Sequence, residues 1–272
     1  MTTVSIKDKV ILVTGGFGLI GKEISKSFLD QEAKVILADI NINARPTLEE
    51  ELSASYSDSE YLTLLLDISD ENSCKDGLKA CVEKFGRIDV LINNAAIDAK
   101  FDNEGMVKLN QSRFENYPVD LLRKSVEVNL TGTIIITQHV CRQMLIQGSG
   151  NIINVASTYS IVSPNQGLYD FGDGNIMFKP IDYIASKSFI PNFTRYVATF
   201  YAKEGIRCNA IALHGIYNNH DEKFQDNFAK LSPLGRMCDR GEIKGPFTFL
   251  ASDASSYMTG SLLTVDGGWT AW

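Results

Sequence analysis

The chain has 272 residues, 44% of them hydrophobic, and a formal net charge of −7. This suits one large α/β domain with a sizeable core, and an acidic balance without a Lys/Arg stripe argues against nucleic-acid binding. No signal peptide or membrane-length apolar run is read, the five cysteines form no framework and the three histidines lack zinc spacing, so a metal-free cytoplasmic protein is expected.

The predicted elements alternate short apolar strands with helical patterns, which implies βαβ units and a parallel sheet. The first strand, near 9–14, runs into TGGFGLIG and a helix near 19–30. Glycines there let backbone N–H groups approach a pyrophosphate, and a helix N-terminus adds a favourable dipole. The second strand, near 34–39, ends in Asp39, 18 residues beyond Gly21. A carboxylate at that point accepts from ribose hydroxyls and repels a 2′-phosphate, so NAD(H) is expected over NADP(H). The third strand, near 61–66, precedes Asp67, placed to reach the adenine. A helix is expected near 70–85. The fourth strand, near 89–92, runs into NNAA, whose small residues admit a close ligand.

A long helix near 119–146 carries Asn129, and a strand near 150–156 leads to Ser157. A helix near 182–204 carries Tyr183 and Lys187 at i and i+4, on one face. An ammonium beside a phenol favours the phenolate and makes Tyr183 a usable acid/base. Ser157 can polarise a substrate oxygen, and Asn129 can hold a water that links Lys187 to solvent. A Tyr-x-x-x-Lys pair alone is commonplace; the whole set in this order is not. Pro191 lacks an N–H and clashes with the carbonyl of Lys187, four residues earlier. Strands near 206–212 and 262–265 complete the pattern.

The Gly-rich turn, Asp67, NNAA, Asn129, Ser157, YIASK, IRCNAIA, PLGRM and the ending FLASDASSYMTGSLLTVDGGW together resemble the short-chain dehydrogenase/reductase family over essentially the whole chain. The resemblance implies a single-domain, Rossmann-like, doubly wound parallel sheet with helices on both faces, spanning residues 1–272. It implies a catalytic tetrad of Asn129, Ser157, Tyr183 and Lys187. Cofactor contacts would come from Gly15, Phe17, Gly18, Leu19, Ile20, Asp39, Asp67, Ile68, Asn94, Ala95, Ala96, Tyr183, Lys187, Gly215 and Ile216. Substrate contacts would come from Ser157, Tyr159, Tyr169, Tyr183 and His214. A homo-oligomer, dimer or tetramer, is implied as well. Trp269 and Trp272 read as exposed anchors for the subunit boundary.

Three departures mark the chain. Its glycines are spaced GxxGxxG, as in the longer, nucleotide-sugar-modifying branch. Ser157 and Tyr183 are 26 residues apart, about twice the shorter branch's usual gap, which leaves an insert at about 158–182. Leu213-His214 replaces the usual Pro-Gly at the start of a substrate loop expected to be mobile, at about 213–232. The insert holds Tyr159, Tyr169, Phe171 and Phe178 with Asn165, Gln166, Asp170 and Asp173, groups suited to walling a pocket for a hydroxyl-rich ligand. The chain resembles a subgroup acting in bacterial surface-sugar pathways, including nonulosonic acid and flagellin glycans.

The expected activity is NAD(H)-dependent interconversion of an alcohol and a ketone on a polar, sugar-like small molecule, with Tyr183 as acid/base. The alternatives are a nucleotide-sugar epimerase or dehydratase that keeps its NAD, and an NAD-binding regulator without turnover. The first needs a nucleotide-binding domain not seen here; the second has no need of Tyr183 and Lys187 together.

Overall fold

In the computed structural model, residues 4–98, 109–170 and 177–272 are described. Phe171 and Asp173 of the insert lie outside them. Seven strands form one sheet in the order β3-β2-β1-β4-β5-β6-β7, and every pairing is parallel. They are β1 (Val10–Thr14), β2 (Lys34–Asp39), β3 (Tyr61–Leu65), β4 (Val90–Asn93), β5 (Gly150–Ser157), β6 (Ile206–Leu213) and β7 (Leu262–Val265).

Both faces of the sheet are covered, so the central strands are apolar throughout rather than alternating. Ile11 and Val13 of β1 face a core shared with Ile24 and Phe28 of α1 (Leu19–Leu29). Leu48 and Leu52 of α2 (Arg45–Ser53) join that core. Val10 and Leu12 face the opposite core, with Cys74 and Cys81 of α3 (Glu71–Phe85). The free cysteines Cys81, Cys141 and Cys208 are buried thiols, as expected.

The long helix through Asn129 is present with a change of winding. It runs as α4 (Val119–Val126), a π-turn over Glu127–Gly132, and α5 (Thr133–Gln147). Gly132 brings this turn against the chain after β3: an added Cβ would meet Ile68 Cγ1 at 2.9 Å. The Tyr183 helix is divided by Phe189 into α6 (Ile181–Ser188) and α7 (Ile190–Tyr201). Pro191 sits in the first turn of α7, where its missing N–H costs least.

Three helices were absent from the sequence reading. α2 buries only two side chains, α8 (Glu222–Leu231) lies in the segment read as a substrate loop, and α9 (Lys244–Ala251) contains a Gly and a Pro. A second difference concerns the tail. Trp269 is only 8% exposed and its ring stacks on Phe228 at 5.0 Å, so it is a core anchor rather than an exposed ring; Trp272 is 82% exposed.

Backbone packs tightly against backbone where α1 leaves β1. A Cβ on Gly21 would enter the Gly15 carbonyl and stand 2.8 Å from Gly16 Cα, contacts that only a backbone shift relieves. Gly21→Ala should lower stability by about 1–3 kcal/mol, the range for overpacking a filled site, with weaker NAD binding. Denaturant midpoints check this; an unchanged midpoint would contradict the packing described.

Candidate active site

The strand order reverses between β1 and β4, and there the carboxyl ends of the strands open into a cavity of about 920 Å³. A crevice at such a switch point is the standard ligand site of an open parallel sheet. Gly15 adopts φ +63°, and a Cβ on it would meet Ala95 Cα at 2.8 Å. Gly18, by contrast, meets no protein atom closer than 3.4 Å and lines the cavity at the N-cap of α1. The first-turn N–H groups of a helix have no intrahelical partner, so this end can hold a pyrophosphate.

Hydrogen bonds fix the neighbouring loops. Thr14 Oγ1 accepts from Asn94 N and Ala95 N, each at 3.1 Å. Asn94 Nδ2 donates back to the carbonyls of Thr14 and Gly15, each at 3.0 Å. The Asp39 carboxylate lines the cavity and accepts from Phe17 N at 3.0 Å and Asn41 N at 2.9 Å. It therefore anchors the Gly-rich turn while lining the cavity. Asp67 Oδ1 accepts from Ser69 N and Oγ, at 2.9 and 2.6 Å. Leu19, Ile20, Asp67, Ile68, Asn94, Ala95, Ala96, Gly215 and Ile216 all line the same cavity. Phe17 packs against the core beside it. These residues fit NAD: the glycines leave a cradle that a Cβ would fill, and a carboxylate stands at the end of β2.

Ser157, Tyr183 and Lys187 converge at the far end of the cavity. Lys187 Nζ donates to the Val155 carbonyl at 2.8 Å and lies 6.0 Å from the Tyr183 ring centroid. Burial pushes this ammonium down to about 8, with Asp98 opposing and Lys179 assisting. Burial raises the Tyr183 phenol above its ordinary value and Asp98 adds to that, while a hydrogen bond from Ser157 opposes both. Asn129 lies in the π-turn, and its side chain is committed to the backbone of Ile97. Nδ2 donates to Ile97 O at 2.9 Å and Oδ1 accepts from Ile97 N at 2.8 Å. Nδ2 also reaches Ser186 Oγ on α6 at 3.1 Å, so Asn129 braces the tyrosine's helix against the chain after β4.

The insert and the segment after β6 face each other across the remaining cavity. Tyr159 packs edge-on to Tyr183 at 6.3 Å and its hydroxyl lies 3.2 Å from that of Tyr169. His214 Nδ1 lies 2.6 Å from Thr158 Oγ1, and its ring is enclosed by Phe228 and Trp269. Phe224, at the end of the stretch from His214 expected to close this side, lines the cavity; Phe228, Met237 and the pair Asp98–Lys179 also line it and were not singled out. Phe224 and Phe228 are four apart, a helical spacing that marks one face of α8. Asp98 and Lys179 are 81 residues apart and carry no local signal.

His214 generates a pH prediction. Burial lowers its imidazole to about 4, from an ordinary 6.5, with Asp266 pulling weakly the other way. The unfolded chain therefore binds this proton more tightly than the fold. The contribution of His214 to stability should fall as pH drops below 6.5 and level off below 4, by on the order of 3 kcal/mol. His214→Asn should flatten that limb of denaturant midpoint against pH; parallel curves for the two proteins would contradict it.

A family profile described as enoyl-(acyl carrier protein) reductase matches residues 18–270. The chain is 29% identical to 7alpha-hydroxysteroid dehydrogenase of Bacteroides fragilis, covering 97% of this chain and 95% of that protein. It is 30% identical to post-translational flagellin modification protein A of Campylobacter coli, over 97% of this chain and 99% of that protein. It superposes on a short-chain dehydrogenase of Leptospira borgpetersenii solved with bound NAD+, with a TM-score of 0.82 and 31% identity over 98% and 94% of the two chains. With the cradle, the acidic strand end and the Ser–Tyr–Lys cluster in one cavity, these likenesses show that the chain belongs to the short-chain dehydrogenase/reductase family, as an NAD-dependent oxidoreductase.

Proposed function

We propose that the protein interconverts a secondary alcohol and a ketone on a polar, ring-shaped, sugar-like substrate, with Tyr183 as the acid/base. The observation that carries this is the contact set of Tyr183: Ser157 bonded to its hydroxyl and Lys187 on the same helix face, held by the Val155 carbonyl. In the oxidative direction Tyr183 takes the hydroxyl proton while Ser157 donates to the same substrate oxygen. Lys187 stabilises the phenolate, and Asn129 keeps α6 in register with the chain after β4. NAD, when bound, supplies the hydride acceptor. Gly15, Gly18 and the start of α1 would hold its pyrophosphate and Asp39 a ribose.

The substrate class rests on the walls opposite Tyr183. Tyr159, Tyr169, Phe224 and Phe228 offer flat apolar faces, and Tyr159 and Lys179 offer polar atoms. Faces of this kind suit the C–H side of a saturated ring, and the polar atoms suit its oxygens. Similarity to a flagellin-modification protein supports a surface-glycan role, while the steroid relative also acts on a ring alcohol, by its name. The insert at about 158–182 and the loop at about 213–232 would form the two walls. We further propose a homo-oligomer, supported by the exposed rings of Tyr196 and Phe200 on α7 and of Trp272. A cytoplasmic location fits five free thiols, and no helix among the described residues is long and apolar enough to cross a membrane.

Polyols, aldoses, cyclohexanediols and UDP-sugars offered with NAD should reveal NADH production from at least one ring alcohol. On that substrate Tyr183→Phe should lower kcat by at least ~10²-fold with NAD affinity nearly unchanged. A Phe variant that keeps most of its turnover would remove Tyr183 from the role.

A further inference from the structure

Two charged groups outside the tetrad stand against the catalytic tyrosine. Lys179 ends the insert, and its Nζ lies 4.0 Å from the Tyr183 ring centroid, closer than Lys187 does. The same Nζ donates to both carboxylate oxygens of Asp98, at 2.9 and 2.7 Å. Lys179 is held at its backbone as well: its N–H donates to Gln166 Oε1 at 2.9 Å. Its side chain is 10% exposed, so solvent screens this ammonium little, whereas Asp98 is 44% exposed. The pair joins the chain after β4 to the end of the insert, directly over the reacting phenol.

We propose that the Asp98–Lys179 ion pair is a positioning element that sets the protonation of Tyr183 and Lys187. The proposal rests on the acid/base reading of Tyr183. A cation over the ring favours the phenolate, and a carboxylate near it favours the phenol. The same charges act on Lys187: Asp98 holds its proton and Lys179 loosens it. The other groups facing Tyr183 among the described residues are Ser157 at the end of β5, Tyr159 just after it and, farther along the insert, Tyr169. Lys187 lies on its own helix, and Asp182 is buried beside Tyr117. Lys179 therefore supplies a second positive charge at the tyrosine, and Asp98 limits its effect. Removing Asp98 should make the pair Tyr183–Lys187 lose protons at lower pH. Removing Lys179 should have the opposite effect, because an unpaired carboxylate remains.

The opposite signs separate this role from simple tethering. If the ion pair only held the insert in place, breaking it from either side would hydrate Lys187 and raise its midpoint in both variants. The test uses the NAD complex of the whole chain with ¹³C-labelled lysine, the Lys187 resonance being assigned through Lys187→Arg. Lys179→Met should raise the Lys187 titration midpoint and Asp98→Asn should lower it, each by about half a pH unit or more. Lys179→Arg should restore the parent midpoint. Shifts in the same direction, or no shift in either variant with NAD still bound, would overturn the proposal. This readout needs no turnover: if Tyr183→Phe remains active while the Lys187 midpoints move as stated, the acid/base reading fails and the electrostatic coupling stands.

Discussion

Everything chemical in this protein hangs from one constraint, that seven parallel strands end at the same edge of the sheet while their order reverses between β1 and β4. The chain leaves these two paired strands toward opposite faces, α1 packing on one and α5 on the other, so a crevice opens between the connections. Gly15 follows β1, Asp39 closes β2, Asp67 follows β3 and Asn94 follows β4. Ser157 closes β5 and His214 follows β6, in register through the pair Ser157–Leu213. The gap is held open by a clasp, in which Thr14 Oγ1 accepts from the backbone after β4 and Asn94 returns its amide to the carbonyls of Thr14 and Gly15.

The proton-transfer end of the cavity works against its own burial. Desolvation favours a neutral Lys187 and a neutral Tyr183 at once, so neither ionised form is stable without a partner. The Val155 carbonyl and Ser157 provide part of the compensation, and a cationic cofactor ring would provide more. His214 lies under the same pressure between Phe228 and Trp269, with Thr158 Oγ1 on its Nδ1, and burial keeps it neutral near neutral pH. Function and stability therefore diverge around Tyr183, as expected where perturbed ionisable groups cluster.

The sequence exposed most of this arrangement because much of it is local. Tyr183 and Lys187 are one helical turn apart, Gly15 to Gly21 span one turn and the start of α1, and all seven strands are short apolar runs that the structure reproduces within a residue or two. What stayed hidden depends on long-range packing. Trp269 reads as a tail aromatic until Phe228 and His214 are seen around it. The π-turn at Asn129 shifts winding by one residue without changing the apolar period. Asp98 and Lys179 are joined only because the insert folds back over the tyrosine. Pro191 falls in the first turn of α7, and Phe189 keeps helical angles (φ −75°, ψ −26°), so the division of the helix interrupts hydrogen bonding more than direction.

The most direct test is a crystal structure of the chain with NAD. The account predicts the pyrophosphate on the turn from Gly15 to Gly18 at the start of α1. It predicts the adenosine ribose on Asp39 and the nicotinamide at the end of the cavity holding Ser157, Tyr183 and Lys187. A dinucleotide bound in the reverse sense, or a nicotinamide remote from the Tyr183 hydroxyl, would contradict it.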